Sequence, residues 1–299
     1  MKVAVVCCDP ALRLAAARAF DGAPATWDVT LCEAPPEEAD VVVRGPNAAP
    51  DVAGGNAGIA FDPTRPELLV PQIEATIGRG GRPHVMVVTS AAGGTGTTTI
   101  ALHLAHALSA AAETCYLELT GGGAAARLAM PPDGLTWQDA GSTQPQLRLA
   151  AVPVAGGFRV LLAPPVLNES EALVVLDRAA QAYERLVVDV SAAGLPTAVL
   201  PRAHAGVIVM APTRPCARRT QKLLERLPDL PWAIVSNRTG PGGETTRAGL
   251  ERILGRRIAL ELPCTSALRD GEDDGRLLTG RWSRFSRGVA RLAGALETL

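Results

Sequence analysis

Lysine is nearly missing from this chain: Lys2 and Lys222 are the only two in 299 residues. The bias towards Arg, Ala, Gly and Pro is that of a GC-rich coding sequence, in which arginine could have kept any charge that lysine lost. Between Arg82 and Arg127 it does not, for neither basic residue occurs there. A site built from that stretch alone must hold an anion without a side-chain cation. CxxC spacing is missing too. The 6 cysteines, at 7, 8, 32, 115, 216 and 264, lie mostly in apolar runs, which points to reduced core thiols in a cytoplasmic protein and away from zinc or disulfide scaffolds. No apolar run reaches the roughly 18 to 20 residues that cross a bilayer. The opening Met-Lys-Val-Ala-Val-Val-Cys-Cys-Asp-Pro reads as strand and turn, not as a leader. A net charge of -1 excludes bulk attraction to nucleic acid or anionic lipid, so either would need a local patch. No internal repeat is present.

What is there is apolar, 47% of the residues, enough to fill a large core. Strand-like runs at Val3–Cys8, Val29–Cys32 and Val41–Val43 alternate with helical stretches at Pro10–Phe20 and Glu67–Ile77. Gly78-Arg79-Gly80-Gly81-Arg82-Pro83 then breaks every periodicity. The expected organisation is a small α/β domain over 1–78, a linker over 79–83 and a second domain over 84–299. In that second domain, apolar runs at Val85–Thr89, Thr114–Leu119, Phe158–Leu162, Leu186–Val190, Gly206–Met210, Trp232–Ser236 and Ile258–Leu262 are mostly separated by helical stretches. The alternation predicts an α/β fold, a doubly wound and mostly parallel sheet covered on both faces. The Gly/Pro/Ala-rich region 121–157 is the exception, with a short helix expected at Ala124–Met130.

The first run of this domain leads into Ser-Ala-Ala-Gly-Gly-Thr-Gly-Thr-Thr-Thr at 90–99. A phosphate-binding loop works by converging backbone N–H groups and the positive end of the next helix on one anion. Gly93, Gly94 and Gly96 permit the tight path, and Thr95, Thr97, Thr98 and Thr99 complete the candidate cradle. In the common pattern Gly-x-x-x-x-Gly-Lys-Ser/Thr the first glycine falls at Ala91, the lysine at Thr97 and the magnesium-binding hydroxyl at Thr98. A cation about 4 Å from a phosphate contributes on the order of 4 kcal/mol of gross attraction at an effective dielectric of 20. Phosphoryl transfer depends mostly on such electrostatics, so the loss weakens binding and nearly abolishes hydrolysis. Asp189, closing an apolar strand, is the candidate second acid of a magnesium site. The alternative reading is a flexible strand-to-helix connection with Asp189 as an ordinary cap or turn residue.

The loop, Tyr-Leu-Glu-Leu-Thr at 116–120, Val-Val-Asp-Val-Ser-Ala-Ala-Gly at 187–194, Ile-Val-Ser-Asn-Arg at 234–238 and the following Leu-Pro-Cys together resemble the MinD/ParA superfamily of deviant P-loop ATPases over about 84–299. The receiver-like front, Arg-Val-Leu-Leu-Ala-Pro-Pro and Ala-Leu-Arg-Asp-Gly-Glu-Asp-Asp-Gly-Arg resemble, more narrowly, the CpaE/TadZ pilus-localisation and actinobacterial septum-site-determining (Ssd) proteins. The resemblance implies ATP or ADP with magnesium, a nucleotide-sandwich homodimer, and pilus-secretion or cell-division proteins as partners. It carries magnesium roles to Thr98 and Asp189 and places Asn237 opposite adenine. Glu118 falls at the first acid of the family's Asp-x-Asp. The family's two lysine positions are Ala92 and Thr97 here, and Asp-x-Asp has become Glu118-Leu119-Thr120, so the expectation is a degenerate site with little or no ATP hydrolysis. The front resembles a receiver domain whose acidic pair has shrunk to Asp9 and whose phospho-acceptor position is Arg44; it should not accept phosphate.

Two further expectations concern surfaces. Trp282, Phe285, Val289, Leu292 and Leu296 recur at three- and four-residue spacing among Arg281, Arg284, Arg287 and Arg291. Such a helix either packs its stripe onto the sheet or lies peripherally on an anionic membrane. Arg214, Arg218 and Arg219 are solvated charges, contacts to DNA, or a partner-supplied arginine for a weak ATPase; near-neutral charge speaks against DNA.

Overall fold

The computed structural model describes residues 2–7, 9–20, 23, 27–33, 39, 41–45, 57–70, 72–73, 84–120, 123–131, 136–139, 147–148, 150–164, 169–190, 199–240, 245–280 and 283–298. The chain divides into two compact units, Met1–Arg82 and Pro83–Leu299.

In the first unit, β1 (Lys2–Val6), β2 (Asp28–Cys32), β3 (Val41–Arg44) and β4 (Ala57–Ala60) form a parallel sheet in the order β2-β1-β3-β4. Val3, Val5, Val41 and Val43 face helix α1 (Pro10–Ala19) through Ala16, with Phe61, Leu69 and Ile73 closing the core. Asp9 starts α1: its carboxylate accepts from the Ala11 N–H at 2.8 Å, and Pro10 needs no partner for a missing donor. The acid left at the end of β1 therefore serves as a helix cap. Strand β4 has no counterpart in the expected elements, because Ala-Gly-Ile-Ala carries little strand propensity of its own. The helix expected at Glu67–Ile77 opens as a 3-10 turn at Pro66–Leu68, and 74–83 lie outside the described residues.

The second unit contains β5 (His84–Ser90), β6 (Thr114–Glu118), β7 (Val152–Pro153), β8 (Arg159–Leu161), β9 (Arg185–Asp189), β10 (Ala205–Met210), β11 (Trp232–Thr239) and β12 (Leu260–Pro263). They form one eight-stranded sheet, β12-β11-β10-β5-β9-β6-β8-β7, parallel except for the edge pair β7–β8. Runs such as Leu186–Val188 are buried on both faces, hence their unbroken apolarity. Helices α2 (Thr97–Leu108), α3 (Ala124–Arg127) and α8 (Arg284–Glu297) contribute to the core on one face. On the other face lie α4 (Glu169–Ala182), α5 (Arg214–Leu224) and α6 (Arg247–Leu254). Helix α7 (Ser266–Asp273) follows the edge strand β12 and buries none of its own residues. The doubly wound sheet is thus present.

Helix α8 resolves the question of the terminal stripe. Phe285, Val289, Leu292 and Leu296 are at most 5% exposed and join the main core, while Arg284, Arg287 and Arg291 face solvent. Gly288 lets α8 close on the sheet, since a Cβ there would stand 2.7 Å from Leu262 Cδ2. The stripe covers the sheet, so this helix offers no apolar face to a membrane; Arg281 and Trp282 lie outside the described residues. Among the described residues no helix is long and apolar enough to cross a membrane. Cys7, Cys32, Cys115, Cys216 and Cys264 are free thiols; Cys264 is exposed, an exception to the expected core placement.

Candidate functional site

Strand β5 is central and its neighbours β9 and β10 continue the chain on opposite sides, so the loop after β5 leaves the sheet where strand order reverses. In open α/β sheets that carboxyl-end crevice is where ligands bind. The loop follows the left-handed path the sequence predicts at two glycines, Gly94 with φ 74° and Gly96 with φ 91°. Gly96 is also the N-cap of α2, and a Cβ there would collide with the side-chain nitrogen of Asn237. Gly93 meets neither condition: its φ is not positive, and nothing lies within 4 Å of an added Cβ. Replacing Gly96 by Ala is expected to cost about 1–2 kcal/mol from the backbone alone, plus the clash, whereas Gly93→Ala is near neutral; urea unfolding of the two variants checks this.

The threonines divide their work. Thr95 is buried, and its hydroxyl donates to the Ala92 carbonyl at 3.3 Å and lies 3.1 Å from the Thr97 hydroxyl. Thr97, at the lysine position, is therefore turned back into the loop. Thr98 donates to the Asp189 carboxylate, which also accepts from Tyr116 Oη at 2.8 Å. Asp189 is 3% exposed; burial pushes its carboxyl up, while those two donors and the Arg127 charge pull it down. Tyr116 is driven well above the usual phenol range, by burial and then by Asp189 and Glu118, so it remains a donor.

Asn237 owes its place to an irregularity in β11. The register with β12 shifts between Ser236 and Thr239, and Arg238 takes φ 62°, rare for a residue with a side chain. Asn237 is 2% exposed, and its Nδ2 donates to the Thr95 carbonyl at 2.8 Å. Only the amino side of the amide can serve that carbonyl, which fixes Oδ1 as the other atom, and Oδ1 has no hydrogen-bond partner. Asn237, Gly96, Thr99 and Glu272 line a pocket of about 240 Å³ together with Pro263–Thr265. A buried orphan acceptor on the wall of a pocket is a feature that a ligand's donor would satisfy.

Glu118, at the first acid of the family's Asp-x-Asp and a possible catalytic acid, is 4% exposed and accepts from two backbone donors. One oxygen accepts from the Ala124 N–H and the other from the Ala163 N–H, both at 3.3 Å. It caps α3 and ties that helix to the end of β8. Arg214, Arg218 and Arg219 are exposed on α5.

Sequence reasoning missed three side chains. Arg127, from α3, donates through Nε to the Thr99 hydroxyl at 3.2 Å and pairs with Glu272 of α7, also at 3.2 Å. Thr99 itself donates to Glu272. His103, one turn further along α2, is buried, and its Nε2 accepts from the Leu278 N–H at 3.0 Å, which leaves Nδ1 to donate to the Thr99 carbonyl at 2.7 Å. The stretch without lysine or arginine therefore does not leave the start of α2 without a neighbouring cation. Distance along the chain, not chemistry, hid these residues.

No protein-family model matches the chain, and no curated protein does. Solved structures do. A ParA family ATPase from Chlorobium tepidum TLS superposes with a TM-score of 0.64 at 20% identity, covering 71% of this chain and 98% of that one. A chain of the Aquifex aeolicus MinC:MinD cell division protein complex gives 0.62 at 19% identity, over 72% and 96%. The septum site-determining protein MinD of Pyrococcus horikoshii OT3, complexed with Mg-ADP, gives 0.58 at 17%, over 72% and 96%. The fold is that of the ParA and MinD ATPases.

Proposed function

We propose that this chain is a spatial-positioning protein of the MinD/ParA type whose nucleotide site binds adenine nucleotide but scarcely hydrolyses it. The observation that carries the reading is the pairing of a glycine-lined loop, left-handed at Gly94 and Gly96, with an orphan acceptor, Asn237 Oδ1, beside it. The pocket residues fit a nucleotide. Asn237 would accept from the 6-amino group of adenine, the loop N–H groups would hold phosphates, and Thr98 with Asp189 would hold magnesium. Such an ion would neutralise phosphate charge. The chain's own residues supply orientation and an anion cradle; Ala92 and Thr97 supply no charge for phosphoryl transfer, and Glu118 is bound into a cap.

Acting without turnover, such a protein marks a place by dimerising and recruiting others. The motifs shared with CpaE/TadZ and Ssd proteins favour pilus-secretion or septum machinery as those partners. The front unit, with Asp9 spent on a cap, fits a receiver-like docking module that takes no phosphate. A second reading, a weak ATPase completed by an arginine of a partner subunit, has the exposure of Arg214, Arg218 and Arg219 in its favour.

Calorimetric titration of ATP, ADP and GTP with and without magnesium, beside light-scattering mass and a phosphate-release assay, tests the proposal. ATP and ADP should bind, and GTP should bind at least about tenfold more weakly, since its carbonyl meets Oδ1 with no proton between them. Asn237→Ala should erase the preference. Brisk magnesium-dependent turnover abolished by Asp189→Ala would overturn the reading, and turnover that grows with protein concentration and is lost in Arg218→Ala would establish the second.

A further inference from the structure

We infer that Arg127 is the cation of the phosphate-binding loop, supplied from helix α3 of the same chain, and that Glu272 holds it until a phosphate group displaces the carboxylate. This rests on the reading that the loop takes a nucleotide. The loop contributes no charged side chain, yet a di- or triphosphate brings several negative charges that backbone dipoles alone meet only in part. Arg127 stands against the first turn of α2. Its Nε is 3.2 Å from the hydroxyl of Thr99, the third residue after the Gly96 cap, which places the guanidinium within a turn of the N–H groups that would face the anion.

Its bonds leave it free to act. Nε serves Thr99 and Glu272 and Nη1 donates to the Gly123 carbonyl at 3.0 Å, while Nη2 has no partner among the described residues. The side chain is 32% exposed, so an entering anion can reach it. Glu272 lines the same pocket as Gly96, Thr99 and the orphaned Asn237 Oδ1. A carboxylate thus sits on the wall of that pocket at the start of α2, which Arg238 and Arg269 also line, accepting from Thr99 and paired with the arginine. Phosphate and carboxylate compete for one guanidinium, whose planar fork suits either.

Competition makes the two partners differ in sign, which a merely structural ion pair does not. In calorimetric titrations with Mg-ATP and Mg-ADP, Arg127→Gln should weaken binding at least tenfold, and Arg127→Lys should lose less because it keeps the charge without the fork. Glu272→Gln should tighten binding threefold or more. Adenosine, which carries no phosphate, should bind all of them alike. If the wild-type chain takes up no ATP, the nucleotide reading itself fails and this inference with it. If the wild type binds ATP and Arg127→Gln binds it within twofold, the inference alone is overturned. It is also overturned if Glu272→Gln weakens binding as Arg127→Gln does, since both would then act through the fold. Should Arg127→Gln unfold, Arg127→Lys and Glu272→Gln decide by the same signs.

Discussion

Acidification from pH 7 to pH 4 is expected to remove about 3 kcal/mol of stability from the Pro83–Leu299 unit through His103 alone. Burial lowers this imidazole from 6.5 to about 4, against the opposing pull of its bond to the Thr99 carbonyl and of Glu272. A histidine harder to protonate folded than unfolded contributes fully above about 6.5, and the contribution drains away as pH falls from there to about 4. The Leu278 N–H, which Nε2 accepts, is consistent with that direction: a proton on that nitrogen would face a donor with another donor in a buried place. Asp189 works in the opposite sense: burial raises its carboxyl, so falling pH between that raised value and 3.8 favours the folded form. Lowered carboxyls at Asp139 and Glu251 add to the acid loss from the surface, and His84, also lowered, adds to it as well. A variant separates these contributions. His103→Gln keeps an acceptor for Leu278 but does not titrate, so urea unfolding at pH 7, 6, 5 and 4 should show a gap to the wild type that closes with acid. Parallel curves would place the acid sensitivity elsewhere. Since whole domains hold only about 5–15 kcal/mol, the effect is large.

The same histidine shows why the site was only half legible. The loop could be read because its requirements are local: φ beyond the reach of other residues at Gly94 and Gly96, a strand before and a helix after. Asp189 and Asn237 were readable as polar residues at the ends of apolar runs, which parallel topology brings to one edge of the sheet. Arg127 and Glu272 meet at Thr99 from 28 and 173 positions away, and Leu278 meets His103 from 175, so no spacing announces them. Glu118 poses a related difficulty. An acid after a buried strand looks alike whether it faces a ligand or two backbone N–H groups, and only the paths of α3 and β8 decide. In the fold, strands such as Leu186–Val188 announce themselves by apolar residues on both faces, while Ala57–Ala60 and Val152–Pro153 exist because a neighbour offers them a ladder.

Replacing Phe285 by Ala should remove about 3–5 kcal/mol, the range for an aromatic side chain taken out of a close-packed core. Phe285 is 0% exposed and meets the His103 ring edge-on, with centroids 5.0 Å apart and planes at 83°. That contact joins α8 to the helix that starts at the phosphate loop, so the loss should loosen both. Phe285→Leu, which keeps apolar volume, should cost less than half as much. Arg284→Ala, on the exposed side of the same helix, should lie within about 0.5 kcal/mol of the wild type. The set discriminates sharply between the two fates of the terminal stripe. A helix that lies on lipid would leave the isolated chain indifferent to Phe285→Ala and would lose vesicle binding instead. A helix that covers the sheet gives the stability order Arg284→Ala above Phe285→Leu above Phe285→Ala, with vesicle sedimentation the same for all three. The Leu262 contact at Gly288 and the burial of Val289, Leu292 and Leu296 require the second outcome.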